Sequence, residues 1–502
     1  MDQDFMARYY VGLAATFHDP ALAIVDETGK PLFAEATERK LQNKRAYNAA
    51  PDNILTLDDI LPRFCERDAD IVAAVSWSDQ FHTRLMISGL GQATDPDRLP
   101  SHKGLAWPLP DPEAFLVAMR CCIGQAGVNL RISNAIEGRV SLQRFDHHLC
   151  HAALAAFGCP FDECAVAVVD GFGERSSTSF YRYDGRGLEP IDMGPNDPYG
   201  SIEGLASLGE FYGRLCALCG FDSLRGEEWK VMGLAPYGRF DPELEALLEP
   251  MLQVEGLTFR RSCSENALRA NLRTLKALRR PASSSPLLAA DLAATGQALF
   301  ERRMFQLLGN LHELGHSENL ALVGGCALNS SCNGKILANT GFKRLHVPSA
   351  PGDDGTALGA ALLACRLDRP DGFAVGRRPI SPYLGSEVSA SGLDHLAASS
   401  GLPITRLETE AMCRHVAELL AAGSIVAWMR GRAEYGPRAL GNRSILADPR
   451  NGAIKDRVNE RIKFREEFRP FAPAILDEHG PDYFEDYQAS PYMERTLSFR
   501  PE

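Results

Sequence analysis

The chain has 502 residues, 45% of them hydrophobic and 24% charged, with a formal net charge of −12. That length exceeds what one core supports and predicts two or three domains, while the composition excludes a mostly disordered chain. The acidic balance argues against a general binder of nucleic acid or membrane surfaces. With no run of about twenty apolar residues and no leader-like start in MDQDFMARYYVGL, a cytosolic protein is expected.

In chain order, RYYVGLAATFHD, PALAIVDETG and KPLFAEATER read as three short strands separated by a polar turn and an Asp-Glu-Thr-Gly turn. LQRFDHHLCHAALAAF then reads as a helix and places three of the chain's twelve histidines within five positions. His147 and His151, four apart, project from one face, while His148 is rotated by roughly 100°. Taken alone, the pair fits either a metal site or a polar stripe. The strand pattern returns at CAVAVVDGFGERS, STSFYRYDG and RGLEPIDMG. A β-meander duplicated in this way, with helices between, is the pattern of the actin-like and hexokinase-like nucleotide-binding fold.

FYGRLCALCGF reads as a helix, so Cys216 and Cys219 read as two buried thiols. The odd total of thirteen scattered cysteines argues against a disulfide framework. After the loop RRPASSSP, 279 to 286, a helical pattern runs from Leu287 to Leu314. LALVGGCALNSSCNGKI next carries an apolar strand into a Gly-Gly turn, which serves either a nucleotide ribose or phosphate or simply a tight strand-to-helix turn. Two carboxylates sit where strand ends and loops converge: Asp170 in VVDGFG, at the end of a strand, and Asp353 in PGDDGTALGAA, directly before a helix. With the two histidines they would make a mixed N/O site suited to ferrous iron, manganese or zinc.

The stretch RLDRPDGFAVGRRPISPYLG, 366 to 385, has three Pro and three Gly among charges and marks a domain boundary near residue 375, dividing the chain into 1–375 and 376–502. Between Arg430 and Arg469, eleven Arg plus Lys stand against six Asp plus Glu. They sit among Gly, Pro and Asn in GRAEYGPRALGNRS and among Phe and Pro in KFREEFRPFAP. Because glycine admits a small anion to the backbone and arginine forks onto its oxygens, a phosphate site is favoured over a solvated charged face.

The ordered motifs FHD, ER with a downstream Lys and YN, DHHxxHA, VVDGFG, GEEWKVMGLAPYG, LVGGCALN, PGDDGTALGAA, GRAEYGPRALGNRSIL and IKFREEFRPFAP resemble the O-carbamoyltransferases that include nodulation protein NodU and the cephamycin enzyme CmcH. The resemblance runs from Val11 to Met493. It implies an α/β actin-like domain with a metal site, similar to the catalytic subunit of tRNA threonylcarbamoyl transferase, followed by an α+β YrdC-like domain. By the same resemblance, carbamoyl phosphate and ATP, with Mg, form carbamoyl-adenylate, and the carbamoyl group passes to a hydroxyl of a small molecule or natural product. Neither nucleic acid nor membrane is implied as a partner.

The resemblance also assigns residues. His147, His151, Asp170 and Asp353 would hold the metal, with Fe(II) first and Mn or Zn as alternatives. His18 would act as general base and Lys44 would neutralise a phosphate or oxyanion, although by themselves they read as a turn histidine and a surface charge. Gly324, Gly325, Asn329, Lys230 and Met493 would serve the nucleotide and donor, and Arg438 and Lys463 the carbamoyl phosphate. The family's DGTxR and NTSFN segments do not occur in this sequence, so the C-terminal domain and its donor site are expected to be incomplete. Two alternatives follow: a nucleotide- and metal-binding subunit completed by a partner chain, or a HypF-like carbamoyltransferase acting on a protein.

Overall fold

The computed structural model describes residues 7–83, 112–193, 206–281, 283–373 and 378–501. The chain divides into two compact units, residues 1–380 with 494–496 and residues 381–493 with 497–502. The boundary expected near residue 375 lies outside the described residues.

In the first unit, β1 (Arg8–Ala14), β2 (Ala21–Val25) and β3 (Pro31–Ala36) form an antiparallel meander. β4 (Asp70–Ser76) and β5 (Val140–Phe145) add to it in parallel on the β1 side, giving the order β3-β2-β1-β4-β5. A second antiparallel meander follows from β6 (Cys164–Val169), β7 (Thr178–Tyr183) and β8 (Leu188–Pro190). After a separate hairpin of β9 (Gln253–Glu255) and β10 (Thr258–Arg260), β11 (Asn319–Val323) and β12 (Arg344–His346) extend that sheet in parallel, giving β8-β7-β6-β11-β12. Strand for strand the two sheets share one order and one set of directions. The duplicated meander of the sequence is therefore a duplicated mixed five-stranded sheet. β2, β6 and β11 are buried along their whole length, which is why ALAIV, CAVAVV and LALV read as unbroken apolar runs instead of alternating.

Two small-residue helices bring the functional segments together. Ten of the eleven residues of the helix His147–Phe157 are buried, so its histidines are enclosed by protein on all sides. The helix Thr356–Asp368 buries its first ten residues, TALGAALLAC. Glycines set how closely it packs. A Cβ on Gly12 of β1 would lie 1.8 Å from the Ala357 carbonyl oxygen, and one on Gly359 would lie 1.9 Å from that of Cys150. Cys216 and Cys219 are buried free thiols, as their helix implied. Among the described residues no helix is long and apolar enough to cross a membrane.

The second unit contains the helices Ala390–Ser399 and Thr409–Ala421 and an antiparallel pair, β13 (Val426–Met429) and β14 (Arg443–Leu446). The loop between these strands, Gly431–Asn442, carries the GRAEYGPRALGN motif. It closes on the buried Glu434, whose Oε1 accepts the N–H groups of Leu440, Asn442 and Arg443 at 2.8, 2.9 and 3.0 Å.

Candidate metal centre

Asp146 starts the histidine helix. Its non-helical backbone and its side chain, which accepts the Leu149 N–H at 2.9 Å, make it an N-cap, so His147 is the first helical residue and His151 stands one turn on. Asp170 follows the last residue of β6. Its Oδ1 accepts the N–H groups of Gly171 and Gly325 at 2.7 and 3.0 Å, which turns Oδ2 toward the histidines. The Gly-Gly turn after β11 can reach that strand end because Gly324 has φ +96° and a side chain there would strike the Val169 carbonyl at 2.4 Å. Asp353 opens the 3₁₀ turn Asp353–Gly355 ahead of the Thr356–Asp368 helix.

The structure brings these four side chains together. His147 Nε2 lies 3.5 Å from Asp170 Oδ2 and 3.6 Å from Asp353 Oδ1, and His151 Nε2 lies 3.5 Å from each. One ligand atom from each residue falls within 4.8 Å of all the others. Both ring nitrogens of both histidines are buried without a hydrogen-bond partner among the described residues. With metal bonds of about 2.0–2.2 Å, ligand atoms around one ion sit about 3.0–3.5 Å apart, so the donor set and its spacing fit a divalent cation. The electrostatics agree. Burial by itself would lower the His147 imidazole, but Asp170 and Asp353 carry it up to about 10, and His151 is raised by the same carboxylates against the same burial. Both carboxyls are held below their usual range by the imidazoles despite burial. Asp170, buried, and Asp353, partly buried, thus favour positive charge between them, which a bound cation would supply. His148 faces elsewhere, as its rotation implied. Its Nδ1 meets Ser179 Oγ at 2.8 Å, and burial followed by the charge of His147 pushes it down to about 4.

His18 lies at the edge of this cluster, with Nδ1 3.7 Å from Asp353 Oδ2. The same nitrogen lies 2.8 Å from Asp19 Oδ2 and 3.0 Å from Arg45 Nη2, and Arg45 also donates to Asp19 from Nε and Nη2 at 3.0 and 2.9 Å. Although burial opposes it, Arg45 and His18 hold the Asp19 carboxyl down to about 2. Two short loops meet here through Asp19 N–H to Arg45 O and Asn48 N–H to Phe17 O, at 2.8 and 2.9 Å. Asp19, Gln42, Arg45, Ala46 and Asn48 all have positive φ, a concentration of backbone strain typical of functional loops. Lys44 is not drawn in. Its side chain is 58% exposed and its Nζ lies 3.8 Å from Glu38 Oε1, while its neighbour Arg45 reaches His18.

Of the expected nucleotide residues, Gly325 gives its amide to Asp170. Asn329 is buried, exchanging hydrogen bonds with Gln297 at 3.0 and 3.1 Å. Lys230 Nζ donates to Glu227 Oε1 at 2.7 Å. In the second unit the Arg438 guanidinium is half-buried with no hydrogen-bond partner among the described residues, and burial lowers its pKa. Lys463 is exposed at the end of a π-helical turn, Asn459–Lys463, and Met493 has φ +57°. Four residues at the centre escape a reading of the sequence: Asp19, Arg45, Trp77 and Glu174. Asp19 and Arg45 adjoin residues singled out by motif, whereas Trp77 and Glu174 carry no local signal.

Comparison with known proteins covers both units. The family model described as the carbamoyltransferase N-terminus matches residues 9–362, and the one described as the carbamoyltransferase C-terminus matches residues 417–502. The chain is 33% identical to nodulation protein NolNO of Sinorhizobium fredii over 70% of its length and 51% of that protein's. It is 28% identical to nodulation protein U of Rhizobium tropici over 97% of its length and 80% of that protein's. Full-length HypF, solved in a phosphate- and nucleotide-bound form, aligns with 74% of this chain and 57% of its own at 11% identity and a TM-score of 0.38. The chain spans 51% to 62% of the length of curated relatives such as NolNO. With the N-terminal model matched over more than half of its residues, the chain belongs to the carbamoyltransferase family.

Proposed function

We propose that this chain is a metal-dependent O-carbamoyltransferase that uses carbamoyl phosphate and ATP, through carbamoyl-adenylate, to carbamoylate a hydroxyl of a small molecule. The observation that carries the reading is the cluster of His147, His151, Asp170 and Asp353, the first three buried, whose imidazole nitrogens have no hydrogen-bond partner among the described residues. These four residues would hold Fe(II), Mn or Zn. When bound, the ion supplies Lewis-acid polarisation of a carbonyl or phosphoryl oxygen. With its Nδ1–H given to Asp19, His18 would keep Nε2 to take the proton of the acceptor hydroxyl. Lys44, exposed and 3.8 Å from Glu38 Oε1, would exchange that pairing for an incoming anion. The reading assigns the nucleotide to the turn at Gly324, Gly325 and Asn329, with Lys230 and Met493 beside the nucleotide and donor. A YrdC-like second domain would take the donor phosphate at Arg438 and Lys463. A guanidinium with no hydrogen-bond partner among the described residues, on a loop closed by Glu434, supports that assignment for Arg438.

The test is pyrophosphate release from ATP by the metal-loaded protein, with and without carbamoyl phosphate, before any acceptor is known. Carbamoyl phosphate should stimulate release, and His147→Ala and His151→Ala should each lose bound metal by elemental analysis. Release indifferent to carbamoyl phosphate, or none, together with unchanged metal content in both variants, would sink the reading.

A further inference from the structure

A histidine that binds a metal through one nitrogen usually gives its other N–H to a carboxylate or carbonyl, which fixes the ring's orientation. His147 and His151 do not: Nδ1 of each is buried and has no hydrogen-bond partner among the described residues. Something else must hold the rings. The Trp77 indole, just beyond β4, lies flat on the His147 imidazole, with centroids 4.2 Å apart and planes at 9°. Phe81 backs the indole at 4.6 Å and 28°, and His151 meets His147 edge-on at 4.8 Å and 88°. We infer that Trp77 is a positioning residue for the metal centre, holding the His147 ring by stacking where a hydrogen bond would ordinarily do so.

Three further observations support the inference. Trp77 has φ +86°, in the left-handed region that a bulky aromatic residue rarely enters, so the surrounding structure over-determines its place. Its indole N–H is buried and has no partner among the described residues, so no hydrogen bond of its own holds the ring there. The turn that follows is tied to the histidine helix by Glu174. That carboxylate accepts the Ser78 N–H at 2.6 Å and the His147 N–H at 3.2 Å, and also takes the Ser78 hydroxyl. Strand end, indole and helix start therefore form one unit, with the imidazole face as the surface it controls.

The inference rests on reading the four-residue cluster as a metal site, and the experiment separates the two claims. Metal-stripped protein is titrated with Mn(II) or, anaerobically, Fe(II), and followed by equilibrium dialysis and tryptophan emission. Trp77→Ala should bind about tenfold to a hundredfold more weakly than wild type, the usual consequence of removing a ligand's supporting group. Trp77→Phe keeps a ring on the imidazole and loses the unpaired N–H, so it should restore affinity to within about threefold. Wild-type emission should fall as the ion binds, and that fall should vanish in Trp77→Phe, a local signature that a merely structural role would not give. Wild-type protein that binds neither ion ends both claims. Wild type that binds while Trp77→Ala binds equally tightly overturns the role of Trp77 alone. Should Trp77→Ala fail to fold, the emission decides: an unchanged signal from ion-loaded wild type refutes the stack as the contact that senses the site.

Discussion

Gly359→Ala pits two opposing effects against each other, and the structure decides the sign. In an exposed helix interior the exchange stabilises by about 1 kcal/mol, because alanine has the better helix propensity. At Gly359 the new Cβ would lie 1.9 Å from the Cys150 carbonyl oxygen, whereas real Cβ atoms essentially never approach closer than 3.0 Å, so the two helices must part by about 1 Å. The obstacle is backbone inside a helix and cannot swing away. Overpacking of that kind destabilises by about 1–3 kcal/mol, which outweighs the propensity gain. Gly309, within the helix Ala290–Glu313, provides the control, since a Cβ there meets nothing within 4 Å. Urea denaturation should show Gly309→Ala shifted to a higher midpoint and Gly359→Ala to a lower one. Because Cys150 adjoins His151 and Gly359 follows Asp353 by six residues, parting the helices should also reduce Mn(II) binding. Equal or greater stability of Gly359→Ala relative to Gly309→Ala would refute the argument from close packing.

Asp146→Ala removes the N-cap immediately before His147 and should lower stability by about 1 kcal/mol in denaturant titration, with weaker Mn(II) binding as the first helical turn frays. Glu434 has a carboxyl lowered, against the effect of burial, by hydrogen bonds from backbone N–H groups, that of Leu440 first. Its contribution is therefore complete above the ordinary glutamate pKa and is lost as pH falls through the lower folded value; stability measured against pH should decline less on the acid side in Glu434→Gln than in wild type. Arg438→Ala and Lys463→Ala should each weaken carbamoyl phosphate binding about tenfold or more in calorimetry, the effect of losing a charge-assisted hydrogen bond of about 1.5–3 kcal/mol.

Much of this molecule was legible in its sequence because the relevant signals are local. Six apolar runs with turn residues between them specify two meanders, and the four-residue spacing of His147 and His151 specifies a shared helix face whatever surrounds it. Asp170 and Asp353 could be singled out because a strand end and a helix start are visible in the pattern of neighbours. The tertiary structure alone decided the rest, since it depends on contacts between segments far apart in the chain. Asp170 faces the histidines through Oδ2 because Gly325, 155 residues later, claims Oδ1. Arg45 reaches His18 while Lys44 points outward, a choice made by two loops that meet through several residues of positive φ. Trp77 follows the end of an apolar strand, a place where an aromatic residue says nothing of itself; only when β4 is laid beside the start of the histidine helix does its ring become the surface against which a metal ligand is held.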